Sequence, residues 1–125
     1  MNTASAESKM EIDLEPMLHW ADVKLQEAEN AANSRPERIE AAFDSIYARL
    51  TVLARRAGEA ELAGQPSERV MLLGAIAAGL SACCLDELMG LSRAVEAHRR
   101  QLCGHSASLP QALAIGRHVA RLAQG

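Results

Sequence analysis

The stretch SRPERIEAAFDSIYARLTVLARRAG, residues 34–58, contains the start, the apolar face and the end of one complete helix. Ser34 stands three residues before Glu37, a capping-box pattern in which each side chain bonds a backbone N–H that the helix leaves free. Gly58 is a typical residue for a C-terminal stop. Between these ends, apolar side chains recur in steps of four and three: Ile39, Phe43, Ile46, Leu50 and Leu53. We therefore predict an amphipathic helix that starts near residue 36 and packs one face on a core.

The segments on either side of this helix also predict helices. Upstream, helical spacing of apolar residues begins at Leu14, whereas residues 1–12 are polar, small and aperiodic and are expected to form a disordered tail. Downstream, VMLLGAIAAGLSACC (residues 70–84) is apolar nearly all round, which is typical of the buried centre of a bundle or of one side of a large interface. Beyond it, Asp86 is expected to cap a fourth helix, unless the third continues through with a bend.

Two further helices complete the predicted fold. Apolar positions recur at helical spacing after Asp86, and Gly104 is suited to end that helix. The segment SLPQ (108–111) repeats the capping pattern before a last helix. With no strand pattern in the chain, we predict an all-α fold, a single antiparallel helical bundle of about five helices over residues 13–125.

Composition indicates one domain in the cytoplasm. A chain of 125 residues with 49% hydrophobic content can bury one continuous core without disulfides. The three cysteines are odd in number and form no C-x-x-C pair, which favours reduced thiols in a cytoplasmic protein. No apolar run reaches the length that crosses a bilayer, and the N-terminus lacks the order of a secretory signal, so no membrane association is expected.

Charge is distributed unevenly between the two ends of the chain. Residues 1–35 hold three cations against seven carboxylates, a net −4, whereas residues 93–121 hold five arginines against one carboxylate, a net +4. Such a division can serve packing between the chain's own ends, head-to-tail association or an anionic ligand. We expect packing between the two ends.

Several kinds of catalytic site are disfavoured. Cys103 and His105, even with His98 one or two turns earlier, fall short of a zinc pattern, so neither a metal nor a cofactor is expected. The glycines of residues 70–84 are not followed by Lys-Ser or Lys-Thr, which excludes a phosphate-binding P-loop. A Cys103–His105 nucleophile pair has no apparent third group to orient the base.

Arginine combined with histidine is the remaining pattern. In HRRQLCGH (98–105), Arg100 and His105 are separated by four residues, and Arg93 and His98 repeat that separation one heptad earlier. An R-x4-6-H element late in a small helical bundle, after a helix reading RIEAAFDSIYARLTVLARRAG, resembles the HEPN family (higher eukaryote and prokaryote nucleotide-binding domains). The resemblance covers roughly residues 36–122.

The resemblance implies a metal-independent endoribonuclease in which the motif acts at the interface of a homodimer. It assigns catalysis to Arg100 and His105, with Arg93 and His98 as second choice. A histidine can move the proton of the attacking 2′-hydroxyl, and a fixed guanidinium can stabilise the phosphorane. The remaining polar residues of the motif and of the basic third are the candidates for binding RNA: Arg99, Gln101, Arg117 and Arg121.

A second interpretation stays open beside the nuclease. Arg99, Arg100 and His105 near the end of a helix also complement its dipole and bond its last carbonyls. His98 falls within the apolar stripe of its helix, while Arg93 projects almost to the opposite side. The chain is then a non-catalytic helical dimer that acts as an adaptor, chaperone or regulatory module and binds a protein partner through an apolar patch.

Overall fold

A computed structural model of the chain describes residues 2–58, 66–100 and 107–124, with side chains from Leu14 onward. Within these ranges the chain forms five helices and no strand, which confirms the all-α prediction. The helices are α1 (Asn2–Glu29), α2 (Arg35–Arg56), α3 (Ser67–Ala78), α4 (Ala82–Arg99) and α5 (Leu109–Gln124). None of the described helices is both long enough and apolar enough to cross a membrane.

The predicted capping residues act at the ends of α2 and α5. The Ser34 hydroxyl accepts a hydrogen bond from the Glu37 N–H at 3.3 Å, and Ser108 accepts one from the Gln111 N–H at 3.3 Å. Gly58 follows α2 with a φ of +97°, a left-handed conformation that glycine adopts without steric cost. These three signals were sufficient to predict the helix ends from sequence.

The break between α3 and α4 differs from the prediction in its capping residue. Gly79 ends α3 with a φ of +73°, and the Ser81 hydroxyl then accepts a hydrogen bond from the Cys84 N–H at 3.2 Å. The prediction that Asp86 caps α4 is therefore wrong. Ser81 takes the role because the left-handed glycine places it directly at the first turn, whereas Asp86 lies inside the helix.

Two other helix ends also lie away from their expected positions. α1 begins at Asn2. The sequence predicted that this helix begins near Leu14, after a disordered tail over residues 1–12. Those residues contain several good helix formers and no glycine, so the loss of apolar periodicity does not end the helix. α4 ends at Arg99, earlier than the predicted stop at Gly104, which lies outside the described residues.

The core is organised around α2. Four of the five residues of the predicted stripe are buried, and Leu53 is half-buried. Much of the rest of the helix surface is buried too, including the polar side chains of Ser45 and Arg49. By contrast, α3 leaves Leu72 and Ile76 exposed, at 37% and 66%. The uniformly apolar segment 70–84 is therefore not the buried centre of the bundle, because α1, α3 and α5 all pack around α2 instead.

Hydrogen bonds between helices give the direction of α1 relative to α2. The Ser45 hydroxyl donates to the carbonyl of Ala21 at 2.8 Å, and the Arg38 guanidinium donates to the carbonyl of Ala28 at 2.8 Å. Later residues of α1 thus contact earlier residues of α2, so the two helices run antiparallel.

The direction of α5 follows from two arginines of α2. Arg35 donates to the carbonyl of Ala107, just before α5, and Arg56 donates to the carbonyl of Ala123 at 2.9 Å, in its last turn. Contacts advance together along both helices, so α5 runs parallel to α2. This pair therefore departs from a strict antiparallel alternation of the helices.

Candidate functional site

The structure describes only one member of the first-choice catalytic pair. Arg100 lies at the C-cap of α4, its side chain is 68% exposed, and its guanidinium bonds the Glu96 carboxylate at 2.7 Å. His105 and Gln101 lie outside the described residues. The position of Arg100 at the helix end agrees with the second interpretation of the motif, in which its arginines complement the helix dipole.

The second-choice pair is divided between two surfaces. Arg93 is exposed and lines a cavity of about 270 Å³ together with Arg100, Glu96 and Glu68 of α3. His98 is half-buried and lines a different cavity, of about 640 Å³. Within one chain, the two arginines of the motif therefore share a surface, whereas Arg93 and His98 do not.

Two of the predicted RNA-binding arginines bond carboxylates of other helices. The Arg99 guanidinium bonds Glu40 at 2.7 Å and Asp44 at 3.1 Å. Arg117 of α5 bonds Glu29 of α1 at 3.0 Å, which joins the basic C-terminal third to the acidic N-terminal third. The Arg117–Glu29 contact agrees with the expected packing between the chain's own ends.

Arg121 lies exposed in the last turn of α5, where a cation complements the helix dipole. The basic third therefore includes cations that already serve its own fold.

A groove between α1 and α2 was not predicted. Its apolar half is a cavity of about 560 Å³ whose α1 wall carries Pro16, Met17 and Trp20. The α2 wall carries Tyr47, Ala48 and Thr51. The indole of Trp20 is 45% exposed, an unusual position for the largest side chain of a protein with only three aromatic residues. We call this surface the apolar half of the groove.

The two aromatic residues of α2 differ in burial: Phe43, in the predicted apolar stripe, is buried, and Tyr47 is only half-buried. Tyr47 is half-buried because it lies between the apolar half of the groove and the buried cluster of Ala54 and Val70. A signal was available for Trp20, since it falls outside the apolar stripe of its own helix. An aromatic residue off the buried stripe indicates a surface contact.

The second half of the groove is acidic. Its cavity of about 640 Å³ is lined by Lys24 and Glu27 of α1 and by His98 of α4. The α2 residues that line it include three carboxylates: Glu37, Glu40 and Asp44. We call this surface the acidic half of the groove.

Lys24 joins the two halves. Its ammonium lies 5.5 Å from the centre of the Trp20 ring, and the same side chain lines the acidic cavity, where it bonds Glu27 at 3.2 Å. A cation over an indole face is attracted by the ring quadrupole. The groove therefore changes from apolar to acidic at a single side chain.

Burial affects the ionisation of the acidic half. Desolvation raises the pKa of Asp44, the Arg99 charge opposes that shift, and the neighbouring Glu40 charge adds to it. For Arg99, burial lowers the pKa, but the hydrogen bond to Glu40 and the charges of Glu40 and Asp44 outweigh burial, so its pKa is raised. The carboxylates therefore stabilise the charged form of Arg99. For Asp44, the favourable charge of Arg99 does not fully offset the desolvation of the carboxylate.

The described cysteines are weak candidates for a nucleophile. Cys83 and Cys84 are free thiols, and burial together with the Glu87 charge raises the pKa of Cys84. A raised pKa reduces the thiolate fraction, which is the reactive form. Cys103, which sequence analysis considered beside His105, lies outside the described residues.

Comparison with known proteins adds no family to this description. No protein family, curated protein or solved structure matches the chain.

Proposed function

We propose that the protein is a non-catalytic interaction module, of the adaptor, chaperone or regulatory kind, which binds a protein partner in the groove between α1 and α2. The observation that carries this proposal is the apolar half of the groove, where Trp20 is 45% exposed beside Tyr47. Tryptophan and tyrosine are the residues most enriched among those that dominate binding energy at protein interfaces.

The energetics of the exposed surface favour a bound partner. Each Å² of apolar surface that leaves water contributes about 25 cal/mol, so covering the Trp20 ring and its neighbours supplies several kcal/mol before the costs of association. Leu72 and Ile76 on α3 extend the exposed apolar surface of the molecule. Tyr47 lines the groove and also packs against the buried cluster of Ala54 and Val70, whose second member belongs to α3.

Charge pairing argues against strong general affinity for RNA. Arg99, Arg100 and Arg117 each bond a carboxylate, so a phosphate must displace those acids to reach these cations. The chain carries a net charge of −3. Non-specific nucleic-acid binding depends on many simultaneous phosphate contacts, which a largely neutralised surface supplies poorly.

Selection from a library of 16-residue peptides tests the proposed function. The wild-type protein is compared with Trp20→Glu, which places a charge in the groove. The matched control is Val23→Glu, which adds the same charge at an exposed apolar position of the same helix. We expect selected peptides to bind wild type with a Kd of about 10 µM or below.

Trp20→Glu should weaken that binding at least about tenfold, and Val23→Glu should leave it within about twofold. Both variants are first checked for helicity and thermal unfolding. Peptides that bind wild type and Trp20→Glu equally, or a library that yields no binder, would contradict the proposed function.

A second candidate function is the metal-independent endoribonuclease that the HEPN resemblance implies. One observation favours it: Arg93 and Arg100 line the same exposed cavity, so two cations can approach one phosphate of an RNA strand. This function requires Arg100 and His105 to be exposed and to converge across the two-fold axis of a homodimer.

The nuclease is tested with single-stranded RNA in EDTA, using wild type, Arg100→Ala and His105→Ala of equal oligomeric state. Cleavage that both substitutions abolish supports it. Absence of cleavage, or equal cleavage by all three proteins, contradicts it.

We also infer the setting in which the module acts. The five described helices form one bundle around α2, in which α1 runs antiparallel and α5 runs parallel to α2.

The free thiols of Cys83 and Cys84 support a reducing compartment, the cytoplasm. Sedimentation of the purified protein tests the predicted homodimer.

A further inference from the structure

We propose that the partner is an amphipathic α-helix with large apolar side chains in one half and arginine or lysine in the other, which lies along the whole groove. This inference rests on the proposed function and specifies the chemistry of its ligand. It follows from the continuity of the two halves, from the secondary structure of the walls and from the charge of the acidic half.

The two halves form one continuous surface along α1. Pro16 and Trp20 line the apolar half, and Lys24 and Glu27 line the acidic half. These residues are spaced by four, four and three positions, so they lie on one face of a single helix. Lys24, which lines the acidic half, lies with its ammonium 5.5 Å from the centre of the Trp20 ring, which lines the apolar half, so the two halves adjoin at this pair of side chains.

The opposite wall on α2 repeats this continuity. Glu37, Glu40 and Asp44 line the acidic half, and Ala48 and Thr51 continue the same face into the apolar half. The face extends over 14 residue steps from Glu37 to Thr51, about 21 Å at 1.5 Å per residue. A partner helix of about four turns matches that length.

The walls select a helix over an extended strand. A strand binds by pairing its backbone with a free sheet edge, and the walls of this groove are helices whose backbone groups bond within the helix. An apolar groove between two helices instead accepts side chains spaced at i, i+3, i+4 and i+7. The occupant is thus held by its side chains.

Charge complementarity determines the second half of the occupant. Among the described residues, four carboxylates line the acidic half and two cations contact them: Lys24 bonds Glu27, and Arg99 bonds Glu40 and Asp44, while Glu37 is the fourth acid. The acids outnumber the cations there, so this half favours cationic side chains in its occupant.

The chain itself shows which group these acids bind. The Arg99 guanidinium bonds Glu40 through two nitrogens, at 3.0 and 2.7 Å, and Asp44 at 3.1 Å. A guanidinium matches the geometry of carboxylates better than an ammonium does. Arginine in the partner helix is therefore the best fit, and Arg99 is its internal competitor.

The test uses three 16-residue helical peptides without tryptophan, with identical apolar halves. The second half carries arginine in one peptide, glutamine in another and glutamate in the third. Binding is followed through the fluorescence of Trp20, the only tryptophan of the chain. We expect the arginine peptide to bind about tenfold more tightly than the glutamine peptide, the glutamate peptide to bind most weakly, and the preference to shrink in 0.5 M salt.

Three variants locate the charge preference. Arg99→Gln removes the internal competitor, so the arginine peptide should bind at least about threefold more tightly. The double variant Glu40→Gln, Asp44→Asn should reduce the preference for arginine over glutamine to within about twofold. Glu96→Gln is the matched control, since this exposed acid bonds Arg100 and does not line the groove.

The outcomes separate this inference from the proposed function. Equal binding of the arginine and glutamine peptides, or tighter binding of the glutamate peptide, overturns the basic partner and leaves an interaction module with an apolar ligand. Failure of all three peptides, and of peptides selected from a library, overturns both. A dimer that Trp20→Glu dissociates and Val23→Glu preserves also overturns the inference, because the groove then holds a second copy of the chain.

Discussion

Two sides of α2 differ in how closely other parts of the chain approach them. On one side α3 touches α2 through its backbone, because a Cβ atom added to Gly74 would lie 2.1 Å from the carbonyl oxygen of Leu50. On another side, which faces α1, Tyr47 and Thr51 line an open groove with Trp20 half-exposed at its edge. The same helix is thus closely packed on one side and accessible to a partner on another.

The two sides of α2 differ in the size of the residues that form them. On the packed side a glycine permits the close approach of α3 to α2, whereas the groove is lined by the aromatic side chains of Trp20 and Tyr47. Substitutions on the packed side should therefore change stability, and substitutions in the groove should change binding. The expected effects on stability decrease from the packed side of α2 to the groove.

Gly74→Ala should have the largest effect on stability. The new methyl group meets backbone rather than a flexible side chain, so α3 must shift away from α2 at a cost of about 3 kcal/mol or more. Urea unfolding measures the loss. The control is Gly90→Ala in α4, where no atom lies within 4 Å of the added Cβ, and it should gain up to about 1 kcal/mol from helix propensity. A stable Gly74→Ala protein would show that the two backbones do not touch.

Asp22→Ala should destabilise the packed contact between α1 and α2. The Arg49 guanidinium is buried, donates to the Ser45 hydroxyl at 2.6 Å and forms an ion pair with Asp22. Without the carboxylate the buried cation loses a partner, at a cost of about 1–3 kcal/mol.

Chemical unfolding of Asp22→Ala is compared with that of Glu15→Ala, an exposed acid on the same helix that should change stability by less than about 0.5 kcal/mol. Equal effects of the two substitutions would contradict a structural role for the Asp22 carboxylate.

Trp20→Ala should have a small effect on stability despite the size of the side chain. The ring is 45% exposed, so we expect a loss below about 1 kcal/mol, compared with about 2–5 kcal/mol for Leu50→Ala in the core. Thermal and urea unfolding of both variants measure the contrast. A loss as large as that of Leu50→Ala would make Trp20 a core residue and would remove the basis for a binding groove.

Asp44→Asn should change the pH dependence of stability, the smallest of these effects. Because the pKa of Asp44 is raised above its ordinary 3.8, the unfolded chain loses this proton first as the pH rises. The unfolding free energy of wild type relative to Asp44→Asn should therefore fall from pH 3.5 upward and level off above the raised pKa. Urea unfolding of both proteins at several pH values measures the difference. A constant or rising difference would show that Arg99 compensates the carboxylate fully.

Much of the fold could be predicted from local signals. Ser34, Ser108 and Gly58 act where the capping rules placed them, since these bonds form within a few residues of chain. The centre of the bundle could not be predicted, because uniform apolarity in 70–84 is compatible with burial and with exposure. Which helix is surrounded depends on the close approach that Gly74 permits, and this contact joins residues far apart in sequence.

The candidate site was harder to predict than the fold. The motif predicted Arg100 and His105, which are five positions apart in sequence, whereas the groove is lined by residues of α1, α2 and α4. Phe43 and Tyr47 lie one turn apart on the same helix, yet one is buried and the other lines the groove. That distinction depends on the position of α1 and α3 around α2, which periodicity alone does not specify.

Mapping of a bound peptide by NMR tests the central claim most directly. The apolar–arginine peptide is titrated into ¹⁵N-labelled protein, and amide shifts are followed along the chain. We predict the largest shifts in residues 16–27 and 37–51, on both walls of the groove. Shifts confined to residues 92–100, around Arg93 and Arg100, would contradict the groove as the binding site and would favour the surface that these two arginines share.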